Sequence, residues 1–214
     1  MGKIFIYLFD SLKALSLLGF LVSPTLVSAQ FSSLSAPVKK WALLHPFAAI
    51  KVKKIQDQCS ILYDQKQIRQ ELDSFSSGGK LDAYRHVFNM AAFSQKLKTG
   101  KIRKLGIAHE KGNYRQFKKS ELEEGEKPDS LASVMDLRNN ELGLSIGCNF
   151  PYLSLDSLSR LVISEINNGK AWVFLRNNKG HYLDCNRQKI DPARYRHQWY
   201  VPKCLVRSDT DYKP

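Results

Sequence analysis

Asp82, Arg85, His86 and Asn89 lie at i, i+3, i+4 and i+7 in the stretch LDAYRHVFNMAAFSQKLKTG, Leu81 to Gly100. A helix carries such residues as one polar stripe about 100° wide. The same spacing recurs at Gly106, His109, Glu110 and Asn113, and a third time at Asp136, Asn139, Asn140 and Gly143. Three chemistries suit this set. His86 and His109 with Asp82, Glu110 or Asp136 could hold zinc or another divalent cation, leaving a position open for water. No H-E-x-x-H pattern is present, and a site drawn from three helices does not require one. Without a metal, an imidazole oriented by Asp82 or Asp136 could take a proton and Glu110 could return one. Arg85 would then hold an anionic group, with Asn89, Asn139 and Asn140 orienting substrate or stabilising an oxyanion. The third reading is architectural: Asp, Arg, His and Asn side chains on facing helices can satisfy one another and fix helix register without doing chemistry.

The elements that would present these stripes follow from the apolar pattern. Leu81, Tyr84, Val87, Phe88, Met90, Ala91 and Ala92 cover most of the first helix's remaining circumference, which predicts a central rather than superficial helix. Asp73 to Lys80, with its Ser-Phe-Ser-Ser-Gly-Gly run, reads as a flexible break before it. The second stripe helix spans Lys101 to about Phe117, with Leu105 and Ile107 as core. Lys118 to Asp129 reads as a mobile, charged loop and a candidate lid. The third stripe helix runs from Ser130 to Ile146. Gly143-Leu144-Ser145-Ile146-Gly147 satisfies G-x-S-x-G, but a nucleophile elbow needs a strand, a turn and then a helix; the glycines read instead as helix terminators. Upstream, Pro37 opens a helix that Pro46 interrupts, and Phe47 to Gln67 continues as another. Downstream, Ser154 caps a helix that Asn167-Asn168-Gly169 stops. Ala171 to Leu175 and His181 to Cys185 read as a hairpin around Asn177 to Gly180, with an extended, aromatic and basic tail segment after Tyr195. The fold class expected is mainly α: a single helical domain over residues 37–206 with a small C-terminal β-hairpin, and a tail over 207–214. His45, His181, Tyr84 and the Tyr195 to Tyr200 aromatics read as structural or rim residues.

The first residues combine Lys3, apolar runs from Ile4 to Val22 and the small residues Val27-Ser28-Ala29. They read as a signal peptide, residues 1–29, cleaved after Ala29, with a tether over 30–36 and no membrane anchor in the mature chain. The expected location is periplasmic or extracellular. The 214-residue chain carries a net charge of +13, and loss of the leader lowers it only by one. Such a balance favours anionic partners, among them phospholipid head groups, nucleic acid and acidic cell-wall polymers, and is equally compatible with solvated helix faces. Cys59, Cys148, Cys185 and Cys204 are an even set without C-x-x-C spacing, which argues against structural zinc and a redox motif. Cys185 and Cys204, bracketing a short segment, are the expected disulfide, and Cys59 a buried thiol.

The residues D-A-Y-R-H-V-F-N (82–89), A-H-E (108–110) and M-D-L-R-N-N-E-L-G (135–143) resemble a bacterial domain family of unknown function with the signature D-x-[FY]-R-H, H-E and M-D-x-x-N-N-x-x-G. The resemblance is clear from Gly79 to Gly147 and weaker from Ser154 to Cys185. It implies a mainly helical domain, exported or appended to secreted proteins, with Asp82, Arg85, His86, Asn89, His109, Glu110, Asp136, Asn139, Asn140 and Gly143 as signature residues. The chain departs from the pattern at Arg138, commonly His in relatives, and at Leu144, commonly Arg. If that third imidazole binds metal in relatives, Arg138 argues against a metal here. The functional expectation is a hydrolase of an anionic envelope or extracellular substrate, with catalytic His86, His109, Glu110, Asp136 and Asp82 and substrate-binding Arg85, Asn89, Asn139 and Asn140. The competing expectation is a non-catalytic binding domain whose polar cluster is structural.

Overall fold

The computed structural model describes residues 33–63, 65–119 and 127–210. The expected signal peptide, the first part of the tether, residues 120–126 of the expected lid and the end of the tail lie outside them. Seven helices are described: α1 (Ala36–Leu44), α2 (Pro46–Tyr63), α3 (Lys66–Glu71), α4 (Lys80–Ser94), α5 (Thr99–Lys119), α6 (Ser130–Asn149) and α7 (Leu155–Asn167). Two short strands, β1 (Trp172–Phe174) and β2 (Leu205–Arg207), follow. The fold is mainly α, as the periodicity predicts. None of the described helices is long and apolar enough to cross a membrane.

α4 is the axis of the molecule. Every residue from Leu81 to Phe93 is buried, because apolar cores lie on both sides of it. On one side Tyr84, Val87, Phe88 and Ala91 pack with Leu158, Val162 and Ile166 of α7 and with Val173 of β1. On the other, Met90 and Phe93 pack with Trp41, Val52, Ile102, Leu105 and Leu144. Leu105 is core as expected, whereas Ile107, two positions further on and so turned to the opposite side of α5, is exposed. Tyr84 donates or accepts a 2.7 Å bond with Ser159 Oγ, a packing role as expected.

The glycines of the G-x-S-x-G match do not end α6, which runs on to Asn149. They let its backbone approach α4. A Cβ at Gly143 would stand 2.8 Å from Met90 Cβ and closer still to the Val87 carbonyl oxygen, and one at Gly147 would stand 2.9 Å from the Ala91 carbonyl carbon. Small residues four apart make a flat strip on a helix, and here that strip meets bare backbone.

The stretch before α4 is built rather than loose. The Asp73 carboxylate accepts from the amides of Lys80 at 2.7 Å, Leu81 at 3.1 Å and Phe75 at 3.2 Å, capping the helix from seven residues upstream. Gly78 takes φ +68°, a conformation that favours glycine. Asp129 caps α6 in turn, accepting from Leu131 and Ala132.

At the C-terminal end the hairpin turn forms, with Arg176 bridging to Tyr182 and the Asn177 amide donating to the His181 carbonyl. The ladder partner of β1 is the tail, however: β2 runs antiparallel to it, pairing Trp172 with Arg207 and Phe174 with Leu205. Cys185 and Cys204 are bonded, as expected from their bracketing position, while buried Cys59 and exposed Cys148 are free.

Candidate functional site

α4 and α6 bring their polar stripes together. His86, 1 % exposed, places Nε2 3.3 Å from Asp136 Oδ1 and 3.7 Å from Asp82 Oδ1. Its other nitrogen, Nδ1, lies 3.2 Å from Asn140 Oδ1. The potential ligand atoms of Asp82, His86 and Asp136 all fall within 4.8 Å of one another. Burial holds the His86 imidazole well below the usual histidine range, the neighbouring His109 and Arg85 push the same way, and the Asn140 bond opposes them. His86 is therefore neutral at pH 7.

The supporting contacts explain why these residue types occur at this spacing. Asp82 Oδ2 accepts from the Gly78 amide at 2.7 Å, which ties the stripe to the loop before α4. Arg85 donates through Nη2 to the Ser76 carbonyl and lies 3.3 Å from Asp82 Oδ1. The guanidinium thus steadies the carboxylate beside His86. α5 supplies the second stripe: His109 and Glu110 are both buried, their Nε2 and Oε1 4.0 Å apart, and Asn113 donates to Glu110 Oε2 at 3.1 Å. α5 lies against α6 through Gly106, where a Cβ would stand 2.9 Å from Asn140 Nδ2. An exposed bidentate pair, Arg103 to Glu141 at 2.6 and 2.7 Å, clamps the same two helices.

Two signature asparagines serve the scaffold. Asn139 accepts from the Trp172 amide and donates to the Trp172 carbonyl, both at 2.9 Å, holding β1 against α6 as a neighbouring strand would. Asn89 accepts from the Tyr63 hydroxyl, which itself accepts from Gln56 at 2.7 Å. Neither is placed on His86. Arg138 is exposed and lies 4.3 Å from the centre of the Trp172 ring, so that position does not add a ligand to the cluster.

A cavity of about 660 Å³ lies on the far side of the Ser76 to Gly79 loop, and no residue of the His86 cluster lines it. Its wall includes Arg176, Tyr182 and Lys203, none of which the stripe pattern singles out, and His181, expected to be structural. Long-range contacts assemble it, and the only local signal for it is the density of basic and aromatic residues after Ala171.

The chain belongs to a family described as a domain of unknown function, DUF6973, whose model matches residues 39–170. The match contains all three stripes and ends before β1. No curated protein and no solved structure matches the chain.

Proposed function

We propose that Asp82, His86 and Asp136 hold a divalent cation and that the cluster is a hydrolytic centre acting on an anionic substrate. One observation carries this reading. His86 Nε2 faces two carboxylate oxygens at 3.3 and 3.7 Å, and in the tautomer whose Nδ1 donates to Asn140 it turns its lone pair towards them. Arg85, 3.3 Å from Asp82 Oδ1, offsets part of this negative charge, and a cation among the three atoms would offset more. Burial keeps a proton off the imidazole, and a metal ion fits the three ligand atoms, which lie within 4.8 Å of one another. Two carboxylates and one imidazole suit zinc, manganese or iron. A zinc ion held there would lower the pKa of its bound water to about 7 and so could supply a nucleophile at neutral pH. His109 and Glu110, alongside, would move the protons, and the basic chain draws an anionic substrate.

A second reading has its own support. Asp82, Asn89 and Asn139 all spend hydrogen bonds on protein groups, as members of a register-fixing network would. Calorimetric titration of chelator-treated protein with Mn²⁺ and Zn²⁺ separates the two. The catalytic reading expects one equivalent bound, binding lost in Asp136→Asn, and melting of the loaded protein lowered by chelator. It also expects His109→Ala to leave stability unchanged or raised, since a site holds like charges together at a cost to the fold. Large losses of melting temperature in both His86→Ala and His109→Ala, indifferent to chelator, would establish the structural reading instead.

A further inference from the structure

In the cavity beyond the Ser76 to Gly79 loop, no carboxylate among the described residues pairs with the cation Arg176. Arg176 is only 6 % exposed, and its guanidinium lies 3.7 Å from the Tyr182 ring centre and 4.2 Å from that of Phe75. Of its five N–H donors, one on Nη1 goes to the Gly180 carbonyl at 2.7 Å and one on Nη2 to the Ser77 carbonyl at 2.6 Å. Nε is buried without a hydrogen-bond partner. Carbonyl oxygens and ring faces satisfy donors but do not neutralise charge.

Among the described residues, the carboxylate that lines the cavity is already committed. Asp129 pairs with buried Lys203 at 2.8 Å and caps α6 with its other oxygen. Arg196 and Lys127 add further positive charge to the wall, and Tyr182, Tyr195 and Ile190 give it apolar and aromatic surface. A buried guanidinium without a counterion destabilises the fold until an anion reaches it. The cavity volume falls in the range of small-molecule sites.

We propose that this cavity binds a small organic anion, its head group on Arg176 and its apolar or aromatic body against Tyr182, Tyr195 and Ile190. The site is distinct from the His86 cluster and lies almost wholly outside the family match, only Lys127, Pro128 and Asp129 coming from within it. Much of its wall, from Ile190 to Lys203, belongs to the segment that the Cys185–Cys204 bond closes. The bond thus holds that part of the wall in place, and reducing it should loosen the site.

The test uses 1-anilinonaphthalene-8-sulfonate, an aromatic anion whose fluorescence reports binding, beside N-phenyl-1-naphthylamine, the same ring system without the sulfonate. Titrations are run on the oxidised full chain in a Phe47→Ser background, which removes the most exposed apolar side chain of the α1–α2 corner as a rival site. The expected result is one equivalent of the sulfonate bound, with affinity about tenfold or more lower in Arg176→Gln and lower also in Arg196→Glu. Arg196 is exposed at the rim, so its variant keeps the test alive if loss of Arg176 prevents folding. Reduction of the disulfide should weaken binding while the helical circular dichroism persists. Displacement by benzoate assigns a carboxylate head group, and displacement by inorganic phosphate a phosphoryl one. Equal affinity for the uncharged probe, displacement by neither anion, or binding unchanged in Arg196→Glu and in the reduced protein would overturn the proposal.

Discussion

Gly143→Ala tests whether close backbone contact between α4 and α6 holds the molecule together. The added methyl would stand 2.8 Å from Met90 Cβ and nearer to the Val87 carbonyl oxygen, where ordinary contact begins at 3.4 Å. Neither neighbour can swing aside, because one is backbone and the other is the first side-chain atom of a fully buried helix. α6 must retreat by roughly half an ångström or more, and at that gap each facing atom pair forfeits about a quarter of its dispersion energy. Overpacking of this kind costs 1–3 kcal/mol, and a contact against backbone belongs at the upper end, about 3 kcal/mol. With a urea m-value of about 2 kcal/mol/M, the unfolding midpoint should fall by about 1.5 M. Gly100→Ala is the matched control: nothing lies within 4 Å of the new methyl in the first turn of α5, so helix propensity should raise stability by up to about 1 kcal/mol. A Gly143→Ala midpoint within error of the parent would refute the close-packing account of α4 and α6.

Thiol chemistry and pH give two further checks. Burial pushes the Cys59 thiol up to about 12, so at pH 8 only about one molecule in ten thousand carries the reactive thiolate. Ellman's reagent should therefore titrate Cys148 alone in the oxidised native protein and both free thiols after unfolding; two fast thiols in the native state would contradict the packing of α2 on α4. Because His86 is held below its unfolded value of about 6.5, the unfolded chain binds the proton first as pH falls. The fold thus has its full stability above that value and loses up to about 1.4 kcal/mol per pH unit below it, until the folded pKa is reached. In chelator, urea melts from pH 7 to pH 5 should show a shallower decline for His86→Gln than for the parent, and parallel curves would mean that His86 is not buried neutral.

The helices and their polar stripes were legible because a 3.6-residue period is a local property, and Asp82, His86 and Asp136 declared themselves by type as well as spacing. The glycines were not. Gly143 and Gly147 close an apolar run just as terminators do, and only the presence of the Val87 and Ala91 carbonyls opposite distinguishes a packing notch from a stop. Asp73 escaped notice because a cap normally lies next to its helix, whereas this one reaches Lys80 around a turn that Gly78 makes possible. The hairpin turn was visible in Asn177 to Gly180, but the partner of β1 is set by the disulfide, which delivers Leu205 to Arg207 alongside Trp172 to Phe174. Asn139 was read as polar and hence available, yet its amide matches the two hydrogen-bonding groups of one backbone residue, a use that spacing alone does not reveal.

The loop from Ser76 to Gly79 joins the two candidate sites, and its bonding shows how one constrains the other. From one side Arg85 takes the Ser76 carbonyl and Asp82 takes the Gly78 amide; from the other Arg176 takes the Ser77 carbonyl and the Phe174 amide takes that of Gly78. The Ser77–Gly78 peptide is thus held from both sides, its carbonyl by a segment that lines the cavity and its amide by the helix that carries His86. A shift of Arg176 towards an anion would pull on the same Ser77–Gly78 peptide whose amide positions Asp82, the carboxylate nearest His86 on its own helix. A four-residue loop bonded on both faces has little slack, since each carbonyl lost from a buried guanidinium leaves charged donors without an acceptor. The physical expectation is that occupancy of the cavity alters how firmly Asp82 is held, so that the affinity of the His86 cluster for a cation and that of the cavity for an anion are linked, each by the same factor.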